Sequence, residues 1–231
     1  SSDLYYVKEL KAPAGFVSSD EVLNLDASYQ GQDVKTVKLK TVKKNQPTTV
    51  EITKSDVTTG VELDGAKLTV LDKEGNVVDQ WTSVKDQPHV IKRLTVGEEY
   101  TLREEMAPYG YLKATDVKFT LEDTAEIQKV EMKDDVTKVE ISKTDITGET
   151  EIPGAKLTIL DKDDQVVESW TSTEEAHYIE KLPIGKYTLR EEQAPKGYLL
   201  TADVTFEVKD TGEIQKVAMK DDTAKGKVIL N

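Results

Sequence analysis

The chain has 231 residues, and its 44 Asp and Glu outnumber 31 Lys and Arg for a formal charge of −13. That charge argues against binding a phosphate backbone, which needs clustered Lys and Arg, so no nucleic-acid partner is expected. With no cysteine there is neither a disulfide framework nor a thiolate metal site, and no apolar run is long enough to span a membrane.

The first 47 residues read as the second half of a domain whose complete form appears further on. Tyr5-Tyr6-Val7-Lys8-Glu9-Leu10-Lys11-Ala12-Pro13-Ala14-Gly15-Phe16 matches a later segment around Glu104, and Asn45 stands nine residues before Lys54 as Asp134 stands nine before Lys143.

Residues 48–136 read as a complete domain. Val50, Ile52 and Lys54 alternate along the first strand, and further strands are expected over 67–71, 77–81, 89–94, 100–104, 117–121 and 127–132. Glu74-Gly75-Asn76 is a hairpin signal, and Ala107-Pro108-Tyr109-Gly110-Tyr111 a turn. Short alternating strands without an amphipathic helix predict an all-β protein built of β-sandwiches. Residues 137–224 repeat the pattern: Gly65-Ala66-Lys67-Leu68-Thr69 returns as Gly154-Ala155-Lys156-Leu157-Thr158, and Trp81-Thr82-Ser83 as Trp170-Thr171-Ser172. The period is too long for a solenoid unit and suits a domain with its own core. Residues 225–231 resemble the opening strand again, so the chain reads as a tandem array without flexible linkers, cut within repeats at both ends.

Side-chain parity singles out six residues. A strand sends alternate side chains to one face. Lys54 therefore shares a face with Val50 and Ile52, Glu104 with Tyr100 and Leu102, and Asp134 with Val130 and Met132. Lys143, Glu191 and Asp221 end the equivalent stripes of the second repeat. Charges in an apolar core are costly unless paired or neutralised. Burial disfavours the charged form of an amine and of a carboxyl alike, and a neutral amine is a nucleophile. Held beside a carboxyl and a second acid that polarises it, the amine can form an intramolecular amide with loss of water. An Asn acceptor such as Asn45 would release ammonia instead. A buried salt-bridge triad, or exposed residues on strands of another parity, would be the alternatives. Each acceptor is followed by a second Asp, Asp135 or Asp222, and parity favours the first of each pair.

Other features carry less. Asp161-Lys162-Asp163-Asp164 has part of a calcium-loop pattern but lacks its Gly and distal Glu, and reads as a solvated hairpin turn. His89 and His177 have no companion His or Cys, so no metal site is expected. Leu182-Pro183-Ile184-Gly185 resembles part of a sortase signal without its Thr or apolar tail. Trp81 and Trp170 read as packing residues.

The segments Ile52-Thr53-Lys54-Ser55-Asp56, Leu63-Asp64-Gly65-Ala66-Lys67-Leu68 and Tyr100-Thr101-Leu102-Arg103-Glu104-Glu105-Met106-Ala107-Pro108-Tyr109-Gly110-Tyr111 resemble the collagen-adhesin B-type (CnaB-like) and SpaA-type pilin domains of Gram-positive surface proteins. Tyr-x-Leu-x-Glu-x-x-Ala-Pro-x-Gly-Tyr is similar to the pilin E-box; it occurs twice intact and once as the variant containing Glu9. The resemblance implies tandem prealbumin-like, reverse Ig-like sandwiches. It implies isopeptide bonds from Lys54 to Asp134 and from Lys143 to Asp221, with Glu104, Glu191 and, in the first half-domain, Glu9 assisting. The implied role is a stalk segment of an extracellular, cell-wall-anchored adhesin or pilin-like protein. No cofactor is expected, and the neighbouring repeats are the main partners. Glu9 and Asn45 are expected to stay unlinked, since the Lys they would serve lies before Ser1. The alternatives are a module binding a host protein or glycan, which would show an exposed aromatic or Arg cluster, and a glycosidase using Glu104 with Asp134, in which a buried Lys has no role.

Overall fold

The computed structural model describes residues 3–28, 31–32, 34 and 36–225; residues 226–231, read above as part of a further repeat's opening, lie outside them. By contact the chain divides into two units, Ser1–Met106 with Ala114–Lys133, and Ala107–Lys113 with Asp134–Asn231. All regular structure among the described residues is strand.

The first unit opens with an antiparallel pair, β1 (Asp3–Lys8) and β2 (Val22–Ala27). Seven strands follow: β3 (Thr49–Asp56), β4 (Lys67–Leu71), β5 (Val77–Thr82), β6 (His89–Lys92), β7 (Glu99–Met106), β8 (Val117–Thr120) and β9 (Ile127–Asp134). They form a three-stranded sheet, β6-β3-β9, and a four-stranded sheet, β5-β4-β7-β8. Val50, Ile52, Ile91 and Met132 from the first sheet meet Leu68, Val70, Tyr100 and Leu102 from the second in one buried core. That is a β-sandwich, and the period-two alternation of Val50 and Ile52 on β3 and of Tyr100 and Leu102 on β7 is what fills it.

The second unit repeats the plan with β10 (Lys138–Asp145), β11 (Lys156–Leu160), β12 (Val166–Thr171), β13 (His177–Glu180), β14 (Gly185–Gln193), β15 (Val204–Val208) and β16 (Ile214–Asp221). The sheets are β13-β10-β16 and β12-β11-β14-β15. The first and last strands, β10 and β16, are parallel neighbours from Lys138↔Ile214 to Asp145↔Asp221. Val139, Ile141, Leu157, Ile159, Leu189 and Met219 form the core between the sheets.

The hairpins explain one sequence difference. In the turn before β5, Gly75 has φ 87°; in the turn before β12, Asp164 takes φ 57°. Asp tolerates the left-handed region better than most residues. Oδ1 of Asp72 accepts the N–H groups of Glu74 and Asn76, and Oδ1 of Asp161 those of Asp163 and Gln165. The acidic run 161–164 is thus organised as an Asx-type turn.

Candidate functional site

Each sandwich places charged side chains inside. Lys54, Glu104, Asp134, Lys143, Glu191 and Asp221 are all at most 4% exposed. The cause is the parity read from the sequence: β10 buries Val139, Ile141 and then Lys143, while β14 buries Tyr187, Leu189 and then Glu191.

In the second unit the three groups meet. Lys143 Nζ contacts Asp221 Oδ1 and lies 2.9 Å from Glu191 Oε1. The other oxygen of Asp221 is buried away from water. Burial pushes the Asp221 carboxyl above its ordinary range; Lys143 opposes that shift, and Glu191 adds to it. An amine, a carboxyl inclined to hold its proton and a second carboxyl are thus buried together, at the ends of the stripes that carry Ile141, Leu189 and Met219 into the core. Asp222 is exposed, with its Oδ1 turned to the N–H of Thr223.

In the first unit Lys54 Nζ lies 3.1 Å from Glu104 Oε1. Asp134 ends β9, in the sheet that also holds β3, and is buried. Asp135 is half-buried and holds Lys138 Nζ at 2.9 Å. In the leading segment Asn45 Nδ2 donates to Glu9 Oε1 at 2.7 Å.

Each Glu spends its second oxygen in the same way. Oε2 of Glu104 accepts the N–H of Ala114 at 2.7 Å, ten residues on. Oε2 of Glu191 accepts that of Thr201 at 2.8 Å, and Oε2 of Glu9 that of Ser19 at 3.3 Å, across the same interval. The carboxylate closes the base of the turn that follows its strand. A β-bulge helps to aim it: Leu68 faces Glu104 and Lys67 faces Met106, so Glu105 is the extra residue, as Glu192 is in the second unit.

Parity reasoning missed one participant. The main-chain N–H of Lys143 donates to Glu151 Oε2 at 2.8 Å. The ladder from β10 to β13 ends at Ile141↔His177, so on that side this N–H lies past the last pair with β13 and the Glu151 carboxylate accepts it instead. The Lys143 carbonyl accepts the N–H of Ile152. A signal existed in the recurrence of Glu62-Leu63 as Glu151-Ile152 at the spacing of the two Lys. The remaining sequence candidates have structural partners. Trp81 stacks on His89 at 4.0 Å and Trp170 on His177 at 4.3 Å, and each His ring bonds a carboxylate, Asp79 at 2.9 Å and Glu168 at 2.6 Å. Leu182 and Gly185 flank a connection, with the Pro183 carbonyl accepting from the Tyr187 hydroxyl.

Comparison with known proteins accords with this architecture. The TIE protein of Bacillus anthracis is 30% identical, with a TM-score of 0.53 over 96% of this chain, which spans 42% of the TIE chain. A streptococcal ancillary pilin is 19% identical over 96% of this chain and 75% of its own, with a TM-score of 0.38. The shaft pilin spaA of Lactobacillus rhamnosus GG is 15% identical over 80% of this chain and 99% of its own, also with a TM-score of 0.38. No curated protein matches the sequence. The model of the SpaA prealbumin-like fold domain matches residues 48–136 and again residues 137–223. With most of its length matched in two consecutive copies, the chain belongs to the family of SpaA prealbumin-like fold domains.

Proposed function

We propose that the chain is a structural stalk segment of a Gram-positive cell-surface adhesin or pilin-like protein. In this reading each complete repeat, 48–136 and 137–224, locks itself with an amide between the Lys of its first strand and the Asp of its last. The observation that carries the reading is the buried meeting of Lys143, Glu191 and Asp221, whose residue types recur as Lys54, Glu104 and Asp134.

The chemistry follows from the proton inventory. A proton passes from the Lys143 ammonium to the Glu191 carboxylate, leaving three neutral groups where charge is costly. Glu191 then donates a hydrogen bond to the Asp221 carbonyl oxygen, and Lys143 Nζ attacks Asp221 Cγ. The N–C bond forms, the hydroxyl leaves with a proton relayed through Glu191, and one water is lost. Glu191 forms no bond and is left holding the proton it took from Lys143, and the amide is not reopened, so this is a single-turnover self-modification and not an enzyme acting on an outside substrate. Lys54, Glu104 and Asp134 take the same roles in the first repeat. Residues 1–47 form the second half of a preceding domain, with Glu9 as its acid and Asn45 as an acceptor that would release ammonia.

Small extracellular domains often rely on a covalent staple, and without cysteine the amide would supply one here. The partners in this reading are neighbouring repeats of the same chain, and the location is the bacterial surface. Intact mass spectrometry tests the proposal: the protein should be lighter than its sequence by two waters, with branched tryptic peptides joining Lys54 to Asp134 and Lys143 to Asp221. A mass equal to that of the unmodified sequence would refute it and leave buried ion triads in place of amides.

A further inference from the structure

The turn after each Glu-bearing strand has the form Ala-Pro-x-Gly-aromatic and occurs three times: Ala12–Phe16, Ala107–Tyr111 and Ala194–Tyr198. By sequence the second copy belongs to the repeat 48–136. By contact Ala107–Lys113 belongs to the unit that holds the following repeat.

Within that unit Gly110 has φ +78°, and a Cβ on it would lie 2.5 Å from the Lys181 carbonyl oxygen and 2.6 Å from the Lys181 Cβ. The Gly110 carbonyl accepts the N–H of Thr137 at 3.3 Å, and the Thr137 carbonyl accepts the N–H of Lys181 at 3.0 Å. The Thr137 hydroxyl donates to the Leu182 carbonyl at 2.6 Å. Lys181 Nζ sits 4.8 Å above the Tyr111 ring.

The first unit contains the same assembly. A Cβ on Gly15 would lie 2.5 Å from the Arg93 carbonyl oxygen. Gly15 accepts from Thr48, Thr48 from Arg93, and the Thr48 hydroxyl donates to Leu94. The Arg93 guanidinium lies 5.2 Å above the Phe16 ring. Both cationic residues are held left-handed, Arg93 at φ 69° and Lys181 at φ 65°. Such a conformation is strained for a long side chain and persists where its surroundings impose it. Two copies with the same Gly, Thr, left-handed cation and aromatic make a built interface.

We propose that the Ala-Pro-x-Gly-aromatic turn is a docking plug, and that Thr137 with Lys181, like Thr48 with Arg93, is the socket by which a domain of this fold receives the turn of the domain before it. The glycine is required because the socket backbone occupies the space of a Cβ. The aromatic ring reads the cation through its face, and the Thr joins the two by accepting, donating and donating again. The third turn serves as an internal control: Gly197 has φ +91°, and nothing among the described residues lies within 4 Å of a Cβ built on it. The inference does not draw on the amide chemistry.

Hydrogen exchange on the full chain tests it. Asn tolerates left-handed backbone, so Gly110→Asn and Gly197→Asn impose a similar local strain, but only the first meets a socket. Gly110→Asn should speed exchange of the Thr137 and Lys181 amides at least tenfold and leave β11 and β14 unchanged. Gly197→Asn should leave every socket amide at its parental rate, along with Ala224, whose N–H donates to the Gly197 carbonyl. Tyr111→Leu should speed the socket amides by about two- to fivefold through loss of the ring–cation contact, and Tyr111→Phe should restore them. Parental exchange in Gly110→Asn would overturn the proposal. So would equal loss of protection around both substituted turns, which would assign the effect to turn backbone alone.

Discussion

Replacing Lys143 by Met separates the amide from the ion triad by the mass of the protein, while its melting reports how much the closed repeat gains. Met fills nearly the same volume in the core but has no amine, so the second repeat cannot close. The bridge it loses spans the 78 residues between Lys143 and Asp221. A cross-link of that span restricts the unfolded chain by about 4.5 kcal/mol in the loop-entropy relation, equivalent to a fall of about 20–35 °C in melting temperature for a domain of this size. If the amide were absent from the parent, the same substitution would strip a buried ion triad of its cation and leave two carboxyls facing each other, which costs about 3–5 kcal/mol, so melting alone does not tell the two states apart. Calorimetry of the parent and Lys143→Met, with intact mass measured on the same samples, reads both. The expected result is a large downward shift of one transition, with the other unmoved and the mass higher by one retained water after allowing for the residue change. A mass difference from the parent equal to the residue change alone would refute the cross-link in this repeat.

Glu104→Ala should block the first bond and spare the second, because each repeat has its own acid; loss of both branched peptides would mean that the repeats mature together. Glu191→Gln should leave Lys143 and Asp221 unjoined, with Asp221 still held above its ordinary range chiefly by burial. A raised folded-state value means that the folded state holds the proton more tightly, so the second repeat of this variant should be most stable below the ordinary carboxylate range and weaken as pH climbs through the raised value. Urea midpoints at about pH 4 and about pH 7.5 measure this, and a midpoint that rises with pH would reverse the sign. Arg190→Ala removes a two-pronged but half-exposed pair with Asp203 at 2.8 Å, and should leave the urea midpoint nearly unmoved in the same assay.

The six charged residues were legible because the strands run regularly up to them. Parity on β3, β7 and β10 has no irregularity before Lys54, Glu104 or Lys143, so counting by two reaches the core side chain. The bulge at Glu105 and Glu192 was not legible, since nothing in Arg-Glu-Glu marks the second Glu as the extra residue. Glu151 escaped because it supports Lys143 through a main-chain N–H, and strand parity says nothing about main-chain donors at the end of a ladder. The contacts of Gly110 were hidden for another reason. A Pro-x-Gly-Tyr turn announces its backbone shape from local residues, whereas the carbonyl that forbids its Cβ belongs to Lys181, far along the chain. The hairpin substitution of Asp164 for Gly75 was visible as a difference, and its meaning came from the left-handed φ shared by both.

The parallel alignment of β10 and β16 has a mechanical consequence. Their eight paired residues run from Lys138↔Ile214 to Asp145↔Asp221, so the chain enters the strip at one end, at Lys138, and leaves it at the other, at Asp221. Pulling on the chain therefore slides one strand along the other. Every hydrogen bond of the ladder resists at once, whereas an antiparallel hairpin pulled at its open end would peel one bond at a time. An amide from Lys143 to Asp221 lies near the exit of that strip. Force would then run along β10, cross at Lys143 and depart, bypassing the chain from Thr144 to Lys220. The hairpins, the Trp–His stacks and the acidic turns would lie off the load line, where their sequences can vary without weakening the strand that bears it.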